Sequence, residues 1–226
     1  MEITWYGQAA FGLRGADGTV IVTDPYDPAR AGYRDFPEPA DIVIKSSSND
    51  DYHDQDHLVP KKPGAVVIDA LELAQGLGRT STHGIPICAI EAMEHDDHPS
   101  GHPDQNAMYR FTLDDMDIGH MGDMGNDFSD AQMAFFEDLD VLICHAGGFP
   151  VISLEEAVRI IETVKPRLVI PMHFRTLVLR PQGMHWISEF VEMFGEGRTD
   201  FAASHTISIK KADLPQTTCA RVLAYR

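Results

Sequence analysis

The sequence has few basic residues, few cysteines and no long apolar run. Lys and Arg number 18 against 35 Asp and Glu, which gives a formal net charge of −17. Nucleic-acid binding relies on clustered Lys and Arg, so this balance argues against a nucleic-acid partner. No stretch approaches the ~18 apolar residues of a membrane-spanning helix, and the N-terminus MEITWYG lacks a basic region followed by an apolar one. We therefore expect neither a membrane span nor a signal peptide.

The three cysteines form an odd and widely scattered set. Cys88, Cys144 and Cys219 each lie in an apolar run. Scattered thiols of this kind are typical of buried free cysteines in a reducing compartment. We therefore predict a cytoplasmic protein without disulfides.

The pattern of apolar residues predicts a mixed α/β fold. Strand-like runs rich in Val and Ile alternate with turn signals at 2–7, 19–26, 41–46, 65–70, 85–93 and 108–113. Ser153 with Glu156 and Ser129 with Gln132 are capping-box pairs that predict helix starts, and a third helix is predicted over about 184–194. Further strands are expected at 141–148 and 167–174. No low-complexity linker divides the 226 residues, so we predict one layered α/β domain over 1–226.

Three separated segments each place a potential metal ligand just after a strand-like run. AMEHDD (92–97) contains His95, GHMGDMG (119–125) contains Asp123, and VIPMHF (169–174) contains His173. A fourth segment, IKSSSNDDYHDQDH (44–57), also follows a strand-like run and is rich in Ser and Asp. Function in layered α/β folds concentrates in loops at strand ends, which is where these residues lie.

In this order and spacing the segments resemble the metallo-β-lactamase superfamily, in particular small single-domain hydrolases similar to ascorbate-6-phosphate lactonase. The resemblance covers most of the chain, from YGQAAFGL (6–13) and VIVTDPY (20–26) onward. It implies a four-layer αββα sandwich, two mixed β-sheets flanked by helices, with the site at one sheet edge. It further implies His95, Asp123 and His173 as metal ligands, with His120 orienting them.

The chain departs from the family pattern in the His-x-His-x-Asp-His loop. An ungapped register reads Ser47, Asn49, Asp51 and Tyr52, whereas a slip of one residue reads Ser48, Asp50, Tyr52 and His53. A longer loop would bring in Asp54, Asp56 and His57. No register restores the two leading histidines, and Gln8 stands where the family has an early histidine. We predict the slipped register, in which His53 rather than Tyr52 faces His95 and Asp123.

The remaining candidates form a mixed set of carboxylates and imidazoles, namely Asp51, His53, His95, Asp123 and His173. Three or four such groups can hold one Zn²⁺ or Mn²⁺, or Fe²⁺, and leave a position open to water. The resulting hypothesis is a metal-dependent hydrolase of a small anionic substrate, a lactone or a phosphate ester. Asp51 would act as base or ligand, and Arg175 would bind the anionic group.

Two other functions are compatible with the same residues. In a pseudoenzyme the fold would persist without metal and the pocket would bind a metabolite or a partner protein. An iron-dependent redox site is also possible with this ligand set, although no accessory cofactor domain supports it. The sequence is also compatible with a homo-oligomer.

Overall fold

A computed structural model describes residues 1–48, 51–95 and 104–225, without the side chains of residues 95 and 104. The described strands are β1 (Glu2–Gly7), β2 (Ala10–Arg14), β3 (Val20–Thr23), β4 (Ala40–Lys45), β5 (Lys61–Asp69), β6 (Arg79–Thr82), β7 (Ile85–His95), β8 (Asp104–Leu113), β9 (Met116–His120), β10 (Val141–His145), β11 (Leu168–Met172), β12 (Thr199–Phe201), β13 (Thr206–Ser208) and β14 (Cys219–Val222). The helices are α1 (Pro28–Ala31), α2 (Ala70–Gln75), α3 (Asp130–Phe135), α4 (Leu154–Val164) and α5 (Ile187–Phe194).

The strands form two mixed sheets. The first has the order β13-β1-β2-β3-β4-β5, and the second has the order β12-β14-β11-β10-β9-β8-β7-β6. Strands β3, β4 and β5 run parallel, as do β9, β10, β11, β14 and β12, while the remaining neighbours are antiparallel. The sheets and their flanking helices confirm the predicted fold class.

The main core lies between the two sheets. Alternate residues of β1 and β2, among them Trp5, Phe11 and Leu13, join one buried cluster with Ile143 and Ile170 of the second sheet. All five residues of β10 are buried, as expected for a central parallel strand covered on both faces. This packing fixes the position of each strand end, and therefore of each loop that carries a candidate ligand.

Two predicted helix starts are confirmed, and two helices, α1 and α2, lie outside the sequence predictions. Ser129 and Gln132 form a complete capping box, and Ser153 accepts a hydrogen bond from the Glu156 backbone N–H. The strand expected over 65–70 ends at Asp69, because the Asp69 side chain caps helix α2 by accepting from the Glu72 N–H. The third helix begins at Ile187, later than predicted.

All three cysteines are free, as predicted, but only Cys144 is buried. In the part of the chain that the structure describes, no helix is both long enough and apolar enough to cross a membrane.

The carboxyl ends of three neighbouring parallel strands meet at one edge of the second sheet. His120 is the last residue of β9, His145 is the last residue of β10, and His173 follows β11. In the first sheet, β4 ends at Lys45 and leads into the loop that carries His53. The candidate residues of distant segments can therefore meet.

Candidate metal centre

Three of the predicted ligands come together in the interior. His53, Asp123 and His173 are 1%, 4% and 2% exposed. His53 Nδ1 lies 3.3 Å from Asp123 Oδ2, and His173 Nε2 lies 3.1 Å from Asp123 Oδ1. One ligand atom of each residue lies within 4.8 Å of those of the other two. These residues are separated by up to about half the chain and meet only because of the fold.

The spacing and chemistry of these atoms fit a divalent metal. Tetrahedral ligands at about 2.0–2.1 Å from zinc stand roughly 3.3 Å apart, which is close to the distance from each histidine to the nearer Asp123 oxygen. Several buried side-chain atoms at the site also lack a hydrogen-bond partner among the described residues, including His173 Nδ1, Gln8 Oε1, His145 Nδ1 and Asn106 Nδ2. Because buried polar atoms are normally paired, this concentration of atoms fits the binding of a polar group or an ion.

The electrostatics of the site favour an ionised carboxylate at Asp123. Burial alone would raise the pKa of Asp123, but the adjacent His53 and His173 hold this pKa well below its usual range. Asn106 fixes the turn, since its Oδ1 accepts from the Asp123 backbone N–H at 3.2 Å. A deprotonated, positioned carboxylate is the form that binds a cation.

His120 holds two turns of the site together. Its Nδ1 accepts from the Gly122 N–H at 3.0 Å, so the proton lies on Nε2, which donates to the Ala9 carbonyl at 3.0 Å. Burial lowers the pKa of His120 to about 3, which keeps the ring neutral. The ring also stacks on Tyr109 with 4.8 Å between centroids. This geometry agrees with an orienting role and leaves neither nitrogen for a metal.

His145 supports the same turn from the neighbouring strand. Its Nε2 donates to the Gly122 carbonyl at 2.8 Å, and its ring meets that of His173 edge-on at 4.9 Å. Burial, and then the proximity of His173, hold the pKa of His145 well below its usual value. The ring is therefore neutral and restricts the orientation of His173.

Asp24 fixes the start of the loop that carries His53. Its carboxylate accepts from the Ser46 N–H at 2.8 Å, from the Ser46 hydroxyl at 2.9 Å and from the Tyr109 hydroxyl at 3.2 Å. Burial raises the pKa of Asp24 to about 7. In the sequence Asp24 appears only within VIVTDPY (20–26), and its contact with Ser46, at the end of another strand, leaves no local signal.

Three non-glycine residues of the site have left-handed backbones. Gln8, Asp24 and His173 have φ values of 52°, 38° and 57°. Such residues are uncommon, and backbone strain of this kind clusters at functional sites. The concentration around one centre is a second indication that this edge of the sheets carries function.

The loop after β4 brings in the histidine but not the aspartate. Asp51 is exposed, and its carboxylate lies 3.6 Å from Arg30 Nε, outside the three-residue group. Tyr52 packs against the cluster around Tyr6, and His57 is exposed in a short 3₁₀ turn. The placement of His53 against Asp123 is the one that the slipped register predicts. His95 ends β7, and its side chain lies outside the described part.

Arg175 lies two residues beyond His173 with its guanidinium stacked on Trp186. The guanidinium carbon is 5.0 Å from the centre of the indole ring. The backbone N–H of Arg175 donates to the His185 carbonyl at 2.8 Å. Stacking leaves the planar fork of N–H donors available to an anion.

A cavity of about 750 Å³ adjoins this region between the loop after β10 and helix α5. Its wall includes the apolar side chains of Phe149, Leu154 and Met193, together with the carboxylates Glu155, Glu189 and Glu192. Gly148 and His185 also line the cavity, and the His185 N–H donates to the Gly147 carbonyl at 2.7 Å. The three-residue metal group does not line this cavity, so cavity and metal centre are neighbouring features.

Comparison with known proteins identifies relatives over most of the chain. A family model described as a beta-lactamase superfamily domain matches residues 2–173. A UPF0173 metal-dependent hydrolase of Carboxydothermus hydrogenoformans is 25% identical over 194 residues, covering 78% of this chain and 85% of that protein. A protein of the same description from Myxococcus xanthus is 27% identical over 202 residues, covering 79% and 72%.

Solved structures extend the similarity to the whole fold. A protein of Thermotoga maritima assigned to the metallo-β-lactamase superfamily is 25% identical, with a TM-score of 0.75 over 100% of this chain and 99% of that one. The metallo hydrolase Igni18 of Ignicoccus hospitalis shares the fold alone, at 20% identity and a TM-score of 0.62 over 87% and 91%. With the family match over residues 2–173 and two mixed sheets that bring histidines and an aspartate to one edge, the chain belongs to the metallo-β-lactamase superfamily.

Proposed function

We propose that this protein is a metal-dependent hydrolase that holds one divalent metal ion between His53, Asp123 and His173. The convergence of these three buried side chains, within 4.8 Å of one another, carries the proposal. The description of the Carboxydothermus and Myxococcus relatives as metal-dependent hydrolases supports it. Those comparisons lend no support to a pseudoenzyme.

The ligand set limits the metal. Two imidazoles and a carboxylate suit Zn²⁺, and Mn²⁺ or Fe²⁺ also accept such mixed nitrogen and oxygen ligands. Ser46 and Ser47 stand at the start of the loop, and Ser46 is already bonded to Asp24. Neutral hydroxyls are weak ligands, so we propose one ion rather than two.

A bound divalent metal lowers the pKa of a coordinated water and polarises a carbonyl or phosphoryl oxygen. The protein's own residues hold the proposed metal ligands in their orientation. His120 ties the turn at Ala9 to the turn at Gly122, and His145 restrains both Gly122 and the ring of His173. Asp51 is left out of the proposed machinery because its carboxylate faces Arg30 and solvent.

We further propose a small anionic substrate, a lactone or a phosphate ester, whose negative group binds Arg175. The stacking of the Arg175 guanidinium on Trp186 supports this role, since its N–H groups can donate two parallel hydrogen bonds to a carboxylate or a phosphate. The neighbouring cavity carries three glutamates, which would repel an anion. The anionic group should therefore lie at Arg175, leaving the cavity for a neutral or apolar part of the substrate. The three free thiols support the proposed cytoplasmic location.

The test is hydrolysis of a panel of lactones and p-nitrophenyl phosphate esters by protein loaded with Zn²⁺ or Mn²⁺. We expect turnover of one class that disappears with a chelator and in Asp123→Ala. Rates on both classes that equal those of Asp123→Ala under every metal would contradict the proposed function.

A further inference from the structure

Gln8 is a polar side chain that touches the metal group without belonging to it. It lies in the turn between β1 and β2 and is 1% exposed. Its side-chain Nε2 lies 2.7 Å from His173 Nε2, across 165 residues of sequence. Its Oε1 has no hydrogen-bond partner among the described residues. An amide with one end against a ligand and the other end unpaired requires an explanation.

Gln8 and Asp123 both face His173 Nε2, at 2.7 Å and 3.1 Å. The amide of Gln8 can donate to this nitrogen when the nitrogen is unprotonated, but Asp123 Oδ1 then lies 3.1 Å from the same lone pair. Two electron-rich atoms at that distance repel one another unless a proton on the nitrogen or a metal ion lies between them. Asp123 and His173 are therefore placed to share a cation.

A cation at this position reverses the preferred orientation of the amide. The lone pair of His173 would be committed to the metal and could no longer accept from Gln8. The N–H groups would then face a positive charge, whereas a half-turn of the amide would present its oxygen. The oxygen and nitrogen of a glutamine amide are nearly equal in shape, so the half-turn needs no change in packing.

We propose that Gln8 Oε1 is a further ligand of the metal held by His53, Asp123 and His173. This inference rests on the proposed metal centre and adds an oxygen ligand to it. The backbone of Gln8 is fixed for this role, since its carbonyl accepts from Trp5 Nε1 at 3.0 Å and from the His173 N–H at 3.2 Å. Amide oxygen is a neutral, hard ligand, so it shifts the preference of the site towards Mn²⁺ compared with an imidazole.

Two substitutions separate the oxygen from the nitrogen of the amide. Gln8→Ala removes both atoms, whereas Gln8→Glu keeps an oxygen and loses the N–H donor. The exposed Gln75, whose Nε2 donates to Gln105 Oε1, supplies the matched control Gln75→Ala. Each protein is stripped of metal and titrated with Co²⁺ at pH 8, with the visible spectrum of the ion as the readout. Circular dichroism of the metal-free proteins checks that each variant is folded.

We expect Gln8→Ala to weaken Co²⁺ binding by about 100-fold and to change the visible spectrum, because a coordinating atom is lost. Gln8→Glu should bind at least as tightly as the wild type, and Gln75→Ala should match the wild type. Equal weakening by Gln8→Glu and Gln8→Ala would overturn the proposal, since it would assign the role to the N–H donor. An unchanged affinity and spectrum in Gln8→Ala would overturn it as well. A wild type that binds no Co²⁺ would instead refute the metal centre, so the two failures are distinguishable.

Discussion

Two histidines of one loop provide the sharpest test of the ligand set. His53 is buried with Nδ1 3.3 Å from Asp123 Oδ2, whereas His57, four residues later, is exposed. We predict that His53→Ala abolishes metal retention and that His57→Ala leaves it intact. The two substitutions remove the same side chain from the same segment, so any difference between them reflects position.

The magnitude follows from the number of ligands. Apparent zinc affinities of about 10–16 kcal/mol in four-ligand sites correspond to roughly 2.5–4 kcal/mol for each ligand. The loss of His53 should therefore weaken binding by about 10² to 10³-fold. At a metal concentration of about 100 times the dissociation constant, the wild type gains about 2.7 kcal/mol of stability. For a chain of this size that gain corresponds to a rise in Tm of roughly 5–10 °C.

The assay is thermal unfolding of metal-free protein with and without Zn²⁺ at that fixed concentration. His57→Ala should keep the full metal-dependent rise in Tm, and His53→Ala should show about 1 °C or less. The reverse pattern would show that the longer loop supplies the ligand. Equal rises in both variants would show that this loop does not bind metal.

Three further predictions concern the supporting residues. Burial raises the pKa of Asp24 to about 7, so the metal-free folded protein keeps a proton there that the unfolded chain loses above about pH 4. The wild type loses this contribution as the pH rises, so urea unfolding should show Asp24→Asn gaining about 3 kcal/mol relative to the wild type between pH 4 and pH 7. A difference that is independent of pH would contradict the reasoning. His120→Phe leaves the Ala9 carbonyl and the Gly122 N–H unpaired. In the same assay this substitution should lower the free energy of unfolding by about 1–3 kcal/mol for each group. A decrease below about 0.5 kcal/mol would show that His120 does not hold the two turns together. Arg175→Ala should raise KM for an anionic substrate with little change in kcat, and Arg175→Lys should raise KM less. An unchanged KM in Arg175→Ala would show that Arg175 does not bind the substrate.

Much of the fold and part of the site could be predicted from local sequence patterns. Buried parallel strands have continuous apolar runs, which placed β4, β10 and β11 and therefore the loops at their carboxyl ends. His173 stands directly after β11, and Asp123 stands three residues beyond the end of β9, so their convergence follows from the order of the segments. The position of His53 required a choice of register, because a loop of this length has no periodicity to fix it.

The remaining features depend on contacts between distant segments. The sequence shows Gln8 only as the loss of a histidine, since its contact with His173 spans 165 residues and leaves no local signal. Asp51 was expected at the metal because its type suits a ligand, yet the chain directs its carboxylate towards Arg30. The sequence does not reveal helix α2, because the apolar run of β5 continues into it. The change from strand to helix at Asp69 depends on one hydrogen bond, which the Asp69 side chain accepts from the Glu72 N–H.

The central claim is that this site holds one metal ion, and metal analysis of the purified protein tests it most directly. Protein prepared without added metal or chelator, then incubated with Zn²⁺ or Mn²⁺ and dialysed, should retain about one equivalent of metal per chain. Asp123→Ala, which removes the carboxylate that lies 3.1 Å from His173 and 3.3 Å from His53, should retain less than about a tenth of that amount. A value near zero for the wild type with both metals, or equal retention by Asp123→Ala, would contradict the account.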